Sequence, residues 1–480
     1  MTSVWTGDCV QRELGVQIES VGGSLMDVKD LVGLALRRNP KRAHLLVSRV
    51  LAKHVPTVPS LAIAAGLLLG AMVAERLAGL LEHSPELRSA AEAFAASLRS
   101  ADGPLHEKPA LLELRKTLTA LATSHPGVVT IGYAETATGL GRLVAESIGS
   151  YYIHSTRHSA LGSRPVAAFE EGHSHATSHR LLPAEDPWLR RGGTVVLVDD
   201  ELSTGSTIIN TIRELHRLMP QREYIVAALV DLRAAGDRER FDELSGSLGA
   251  TISVVALSSG RINLGPDILP RCEEFIAALP AAPPSPAAEL GSITFLAMGT
   301  EEVAPISSDR FGNNHAVRVH ESLGSAAAIA ARVRAAFAGR SPEEVLVLGT
   351  EEFISLPLAV AHALDTDFPV RFSTTTRSPI VALDRPDYAI ASSVGFTSHD
   401  ATEDGPGPRF AYNLSRAGFR FGTIIVMPEP GTDPAVLSGT GSITEALSAI
   451  CGDVVVVLLP AASPAAAADN FRQGPHAPHQ

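Results

Sequence analysis

Cysteine is nearly missing from this chain: Cys9, Cys272 and Cys451 are the only three in 480 residues, far apart and odd in number. That suits neither a disulfide framework nor a zinc site and leads us to expect a reducing, cytoplasmic setting. Lysine is almost as scarce, confined to Lys29, Lys41, Lys53, Lys108 and Lys116. Any chemistry beyond residue 116 that needs a cation must therefore use Arg or a protonated His. Charged residues make up only 19% of the chain and hydrophobic ones 45%, against about 25% charged in an ordinary globular protein. Wholesale disorder is excluded. What charge there is leans acidic, 52 Asp plus Glu against 40 Lys plus Arg for a net −12, and a phosphate backbone would be repelled by the average field, so no nucleic-acid partner is expected. Long hydrophobic runs are also lacking. The longest, Leu61 to Ala74, has 14 residues, short of the roughly 18 of a membrane span, and reads as a buried helix. The first 30 residues lack the apolar run of a signal peptide, so neither export nor a membrane partner is expected.

At about 150 residues per domain the length suggests roughly three domains or two large ones. Residues 1–125 read as mostly helical, with three-to-four-residue apolar spacing over 27–38, 44–54, 61–83, 85–98 and 110–123. From 126 to 278 short β-branched runs alternate with helical segments: VVTIGY, SYYIHS, TVVLVDD, EYIVAALVD and TISVVAL. Continuous apolar strands separated by helices imply an α/β doubly wound domain with a parallel sheet covered on both faces. Residues 279–291 carry four prolines and read as a stiff linker. A second α/β domain follows over 292–460, and the low-complexity tail 461–480 is expected to be disordered.

The most informative segment is Val195 to Thr207, VVLVDDELSTGST. A buried strand ends on Asp199 and Asp200, and a turn of Ser203, Thr204, Gly205, Ser206 and Thr207 opens a helix. In open α/β sheets ligands bind at the carboxyl ends of strands, and hydroxyls with a helix amino terminus behind them favour a phosphate dianion. Acids beside a phosphate cradle are consistent if the ligand also donates hydroxyls, as a ribose 5-phosphate does. A plainer reading, in which the acids merely end the strand and Ser203 or Thr204 caps the helix, accounts for one hydroxyl and none of the rest.

The segment is similar to the signature of the type I phosphoribosyltransferases, which bind phosphoribosyl pyrophosphate (PRPP). The resemblance implies that Asp199 and Asp200 hold the ribose and that Ser203 to Thr207 hold the 5-phosphate. It also implies a pyrophosphate loop at Tyr133, Ala134, Glu135 and Thr136, with Gly139 and Gly141 permitting its tight backbone, and a pyrophosphate-facing cation at Arg157. The long connection 159–189 corresponds to the family's catalytic loop and reads FEEGHSHATSHR, with Glu170, Glu171, His173 and His175 as catalytic candidates. No loop lysine exists, so that role falls to Arg164, Arg180 or a histidine, the last suited to general acid work near neutral pH. The alternative for this segment, a Zn²⁺ site from HxH-x3-H including His179, has nothing else in the chain to require it. Mg²⁺ is implied as the cofactor, arriving with PRPP.

With the downstream tetrapeptide Thr376-Arg377-Ser378-Pro379, the chain resembles the orotate-phosphoribosyltransferase-like proteins with a carboxyl-terminal TRSP domain, found near tellurite-resistance and stress-response genes. The second half also echoes the first. VLVLGTEEF (345–353) aligns with VVTIGYAET (128–136), RFSTTTRSP (371–379) with YYIHSTRHS (151–159), and GTIIVMPEPGTDPA (422–435) with GTVVLVDDELSTGS (193–206). Glu352 then falls on Glu135 and Arg377 on Arg157, making them candidates in the second domain, while the acid pair shrinks to Glu429 and the cradle is lost. This reads as a degenerate repeat or as coincidence between two alternating α/β segments. Lys53 and His54 end what the spacing reads as a helix, where dipole chemistry explains them more simply than contact with an acceptor base.

The expected activity is transfer of ribose 5-phosphate from PRPP to a nitrogenous base with release of pyrophosphate, in the biosynthesis of a nucleotide-like metabolite. A non-catalytic PRPP or nucleotide sensor, or a nucleotide-cleaving enzyme running in reverse, are the alternatives. Oligomeric state is left open, dimers being frequent in the resembled family.

Overall fold

The computed structural model describes residues 5–38, 43–100, 108–158, 165–170, 178–184, 188–279, 290–312, 315–337, 344–367, 369–399 and 407–462. Most of the Pro-rich linker, nearly all of the tail, Arg164, Glu171, His173 and His175 lie outside them.

Five apolar runs of the first half become strands of one parallel sheet: β1 Val128–Gly132, β2 Tyr151–His154, β3 Thr194–Leu202, β4 Glu223–Asp231 and β5 Thr251–Asn263. Their order is β5-β4-β3-β1-β2, and Gln17–Ser20 adds an antiparallel edge to β5. All five residues of β1 are buried, as both-face coverage requires. Helix α1, Pro59–Leu77, packs on α2, Ala137–Ile148, while α3, Ser206–Leu218, follows β3. Among the described residues only α1 is long and apolar enough to cross a membrane by length and composition, and 72% of its apolar window is buried within the fold. It is the core helix expected from Leu61 to Ala74.

The amino-terminal region is less helical than its spacing suggested. Residues 28–31 form one helical turn, after which Val32–Leu36 pairs antiparallel with His44–Ser48. The runs LVGLAL and HLLVS are short and almost continuously apolar, a pattern that periodicity cannot assign between a buried helix and a buried strand. Lys53 and His54 thus follow a strand, not a helix.

The second half forms a five-stranded parallel sheet from β6 Ser292–Ala297, β7 Val345–Gly349, β8 Val370–Thr374, β9 Thr423–Met427 and β10 Asp453–Leu458, in the order β6-β10-β9-β7-β8. Four neighbours reproduce the first sheet: β4-β3-β1-β2 answers to β10-β9-β7-β8. The register agrees as well. Gly132 pairs with Val198 and His154, and Gly349 with Met427 and Thr374, which are the residues that the sequence alignment superposes. Hairpins match too, with Thr156 bridging Arg180 and Thr376 bridging Phe410. The fifth strand differs in origin, since β5 follows β4 whereas β6 precedes its whole sheet. Strand order, register and bridges all agree with the repeat reading for these four strands, although the order itself is one that doubly wound sheets commonly share.

Candidate active site at the junction of the two halves

A cleft of about 350 Å³ opens at the carboxyl ends of β1 and β3, within the range of small-molecule sites. Asp199, Asp200 and Glu201, half-buried near the carboxyl end of β3, which runs on to Leu202 instead of ending on the acid pair, line it together with Ser203 and Thr207. Burial and the neighbouring Glu201 carboxylate raise the Asp200 pKa above that of an ordinary Asp. Thr204, Gly205 and Ser206 build the turn without lining the cleft. Thr204 Oγ1 lies 3.1 Å from Ser206 Oγ, and Gly205 caps α3 with φ +69°. A Cβ there would sit 2.5 Å from the Phe241 ring, so both backbone and packing demand glycine.

After β1, Tyr133, Ala134, Glu135 and Thr136 all line the cleft, and the Ala134–Glu135 peptide is cis. Ser155 Oγ braces this loop, accepting from Ala134 N–H at 2.9 Å and lying 2.9 Å from His179 Nδ1. His179 is fully buried and stacked on Phe169. It is a core residue supporting the loop, which removes it from the set of catalytic or metal-binding candidates. Gly139 and Gly141 are corrected as well: both lie inside helix α2. Gly141 allows contact with Gly132, and a Cβ on Gly139 would meet Ile354 of the second half at 2.4 Å. They serve close packing and not the loop's backbone.

Arg157 lines the cleft. Glu170 ends the strand Ala167–Glu170, which pairs with Ser178–Leu181 in a hairpin; the rest of the expected catalytic loop lies outside the described residues.

Lys53 and His54 both line the cleft, contrary to the simpler dipole reading. Lys53 Nζ donates to Thr136 Oγ1 at 2.5 Å and lies 3.9 Å from Glu135 Oε2. Its position is fixed by the second half: Ala52 O accepts from Thr374 N–H at 2.8 Å, and Thr57 exchanges backbone hydrogen bonds with Phe372. His54 is buried, its pKa held well below normal by burial, Lys53 and Arg37, and its Nε2 has no hydrogen-bond partner. A neutral ring nitrogen and the unpartnered Oε1 of Glu135 equip the cleft for a polar ligand.

Sequence reasoning missed Arg37, Glu201, Ser378 and Pro379 as site residues; they line the cleft with Arg377 and with Leu45, Leu46, Ser48 and Leu51. Glu201 sits beside the acid pair and could have been read from it. Arg37 carried no local signal, and the tetrapeptide containing Ser378 and Pro379, though distinctive, gave no sign that it would reach a cleft of the first half.

Glu352 is not in this cleft. It is buried and accepts from Thr156 Oγ1 at 2.7 Å and from Arg157 N–H at 2.9 Å, while Arg310 Nη2 lies 3.3 Å from it. Burial would raise its pKa, but His158, Arg310 and His154 hold it at about 2. Glu352 therefore fixes the backbone that carries Arg157.

Residues 31–261 match the family model described as phosphoribosyl transferase, and residues 307–447 match the model described as the TRSP domain, C-terminal to that transferase domain. Among solved structures, the APRTase of Giardia lamblia complexed with 9-deazaadenine is 21% identical over 31% of this chain and 81% of that one, with a TM-score of 0.22. The adenine phosphoribosyltransferase of Saccharomyces cerevisiae is 17% identical over 30% and 72%, with a TM-score of 0.18. That of Rhodothermus marinus is 19% identical over 32% and 82%, with a TM-score of 0.21. No curated protein matches the chain.

Proposed function

We propose that this chain, which carries a phosphoribosyl transferase domain over residues 31–261, is a Mg²⁺-dependent phosphoribosyltransferase that moves ribose 5-phosphate from PRPP to a nitrogenous base. The observation that carries this reading is the convergence on one cleft of the carboxylates at the end of β3, the hydroxyl turn at the start of α3 and the loop after β1.

In this reading Asp199 and Asp200 accept hydrogen bonds from the ribose hydroxyls, and Ser203, Thr207 and the backbone N–H groups of α3 hold the 5-phosphate. Lys53, Arg157 and the 133–136 loop face pyrophosphate. As the glycosidic bond to pyrophosphate breaks, positive charge develops on the ribose ring, and the fixed carboxylates stabilise it. Positioning supplies most of the remaining acceleration, because the donor and the base are brought together in a defined geometry. Mg²⁺ would be held mainly by the pyrophosphate and ribose oxygens of PRPP, with Asp199 and Asp200 as the nearest hard oxygen donors, since the described residues contain no group of three side chains arranged to hold an ion by themselves. When bound, the ion lowers the charge on the leaving pyrophosphate. In this reading His54, buried and neutral in the cleft lining, faces the acceptor. The orotate-like lineage and a role in nucleotide-like metabolism under stress belong to the same proposal and rest on the motif resemblance, and a cytoplasmic location rests on the sparse cysteines.

The test is pyrophosphate release from PRPP and Mg²⁺ with a panel of purine, pyrimidine and non-standard bases. Turnover with at least one base is expected. Tight PRPP binding with no turnover across the panel would make the chain a sensor, and no PRPP binding would overturn both readings.

A further inference from the structure

We propose that the C-terminal half acts as a built-in partner subunit whose Arg377 binds the pyrophosphate end of the substrate in the first half's cleft. The inference rests on the phosphoribosyltransferase reading and adds a residue from outside the transferase domain to it.

The two halves exchange equivalent contacts. Thr156 Oγ1 of the first half donates to Glu352 of the second at 2.7 Å, and Thr376 Oγ1 of the second donates to Glu135 of the first at 3.2 Å. Thr376 is the repeat counterpart of Thr156, and Glu352 that of Glu135. Behind each threonine the same local bonds recur. Ser155 N–H donates to Gly132 O at 2.9 Å and Thr375 N–H to Gly349 O at 3.0 Å; Ser155 Oγ accepts from Ala134 N–H at 2.9 Å and Thr375 Oγ1 from Glu351 N–H at 3.0 Å. The cationic segments are exchanged as well. Lys53, beside the second half's edge strand β8, reaches Glu135, and Arg310, beside the first half's edge strand β2, reaches Glu352. The halves thus face each other across an approximate two-fold relation, as the protomers of a homodimer would.

Only one of the two equivalent clefts keeps ligand chemistry. In the second half Glu429 stands where Asp200 stands in the first, and Arg310 Nη2 lies 2.7 Å from it while also contacting Glu352. That ion pair fills the place of the ribose clamp, and the hydroxyl turn 203–207 is replaced by Thr432-Asp433-Pro434-Ala435-Val436. Yet the second half retains Arg377, the counterpart of Arg157, and places Arg377, Ser378 and Pro379 in the lining of the first cleft. Its guanidinium is held there by a buried carboxylate: Arg377 Nε donates to Glu351 Oε2 at 2.9 Å, while Arg409 Nε donates to the other oxygen at 2.5 Å. Thr376, one residue earlier, is bonded to Glu135 in the 133–136 loop, which puts Arg377 at the pyrophosphate end. A planar guanidinium suits a phosphate oxygen pair. Beyond residue 116 the chain has no lysine to offer instead.

The test uses the full chain, with calorimetric titration of PRPP and, separately, of ribose 5-phosphate, each with Mg²⁺. Arg377→Gln is expected to weaken PRPP binding about 10- to 100-fold, the worth of one charge-assisted bond, while ribose 5-phosphate affinity changes less than about two-fold, and Arg377→Lys recovers part of the loss. Unchanged PRPP affinity in Arg377→Gln overturns the inference. An equal loss for both ligands also overturns it, because that marks a structural role at Glu351. If the unsubstituted chain binds neither ligand, the phosphoribosyltransferase reading itself fails, which separates the two outcomes.

Discussion

Replacing Glu352 by alanine is expected to lower folding stability by about 3–5 kcal/mol, the cost of breaking a buried ion pair from one side. The carboxylate has partners in both halves: Thr156 Oγ1 and the Arg157 N–H in the first, and Arg310 in the second. Its loss strands the Arg157 backbone and removes one of Arg310's carboxylate contacts, another being Glu429. PRPP affinity should fall too, because the loop bearing Arg157 loses its anchor. The pH dependence has a definite sign. A carboxylate lowered from 4.5 to about 2 contributes stability that is fully present above pH 4.5 and is lost as pH falls toward 2. Urea unfolding at pH 6 and pH 3 should therefore show a smaller gap between Glu352→Ala and the unsubstituted chain at the lower pH. A stability loss under about 1 kcal/mol at pH 6 would mean that the joint does not depend on this residue.

Asp200→Asn is expected to reduce turnover by about 10²–10³-fold while leaving stability unchanged or slightly raised. The two effects part company because the ionised Asp200 is unfavourable in the fold. Burial and Glu201 raise its pKa, so its charge costs stability at neutral pH, and an uncharged amide of the same shape removes that cost. A residue that destabilises the protein and is needed for turnover is the mark of a functional site. Thermal unfolding beside a pyrophosphate-release assay reads both quantities. A substantial stability loss in Asp200→Asn would instead support the plainer view that the acids merely finish the strand.

How much of this was legible in the sequence follows from how far apart the contributing residues lie. The acid pair and hydroxyl turn fall within thirteen consecutive residues, and one strand-turn-helix unit fixes their geometry, so reading along the chain was enough. The same holds for Tyr133 to Thr136 after β1. Lys53 was undervalued because its place depends on hydrogen bonds from Ala52 and Thr57 to β8, more than 300 residues away. Arg377 could be paired with Arg157 by alignment, but its presence in the first half's cleft depends on how the two sheets face each other. His179, weighed in the sequence only as part of a zinc alternative, proves to be a buried support because the hairpin folds it over Phe169 and Ser155. Gly139 and Gly141 looked like loop glycines, yet helix α2 begins at Ala137 and uses them for packing. The amino-terminal strands were lost to the ambiguity of short apolar runs.

On this reading a duplicated fold keeps one working cleft, built by both halves. Calorimetric titration of the full chain with PRPP and Mg²⁺, in the absence of any acceptor, tests it most directly. One PRPP bound per chain is predicted, with binding lost in Asp200→Asn and preserved in Glu429→Gln, since Glu429 does not line the working cleft. Two PRPP per chain, or binding that survives Asp200→Asn and disappears in Glu429→Gln, would contradict it.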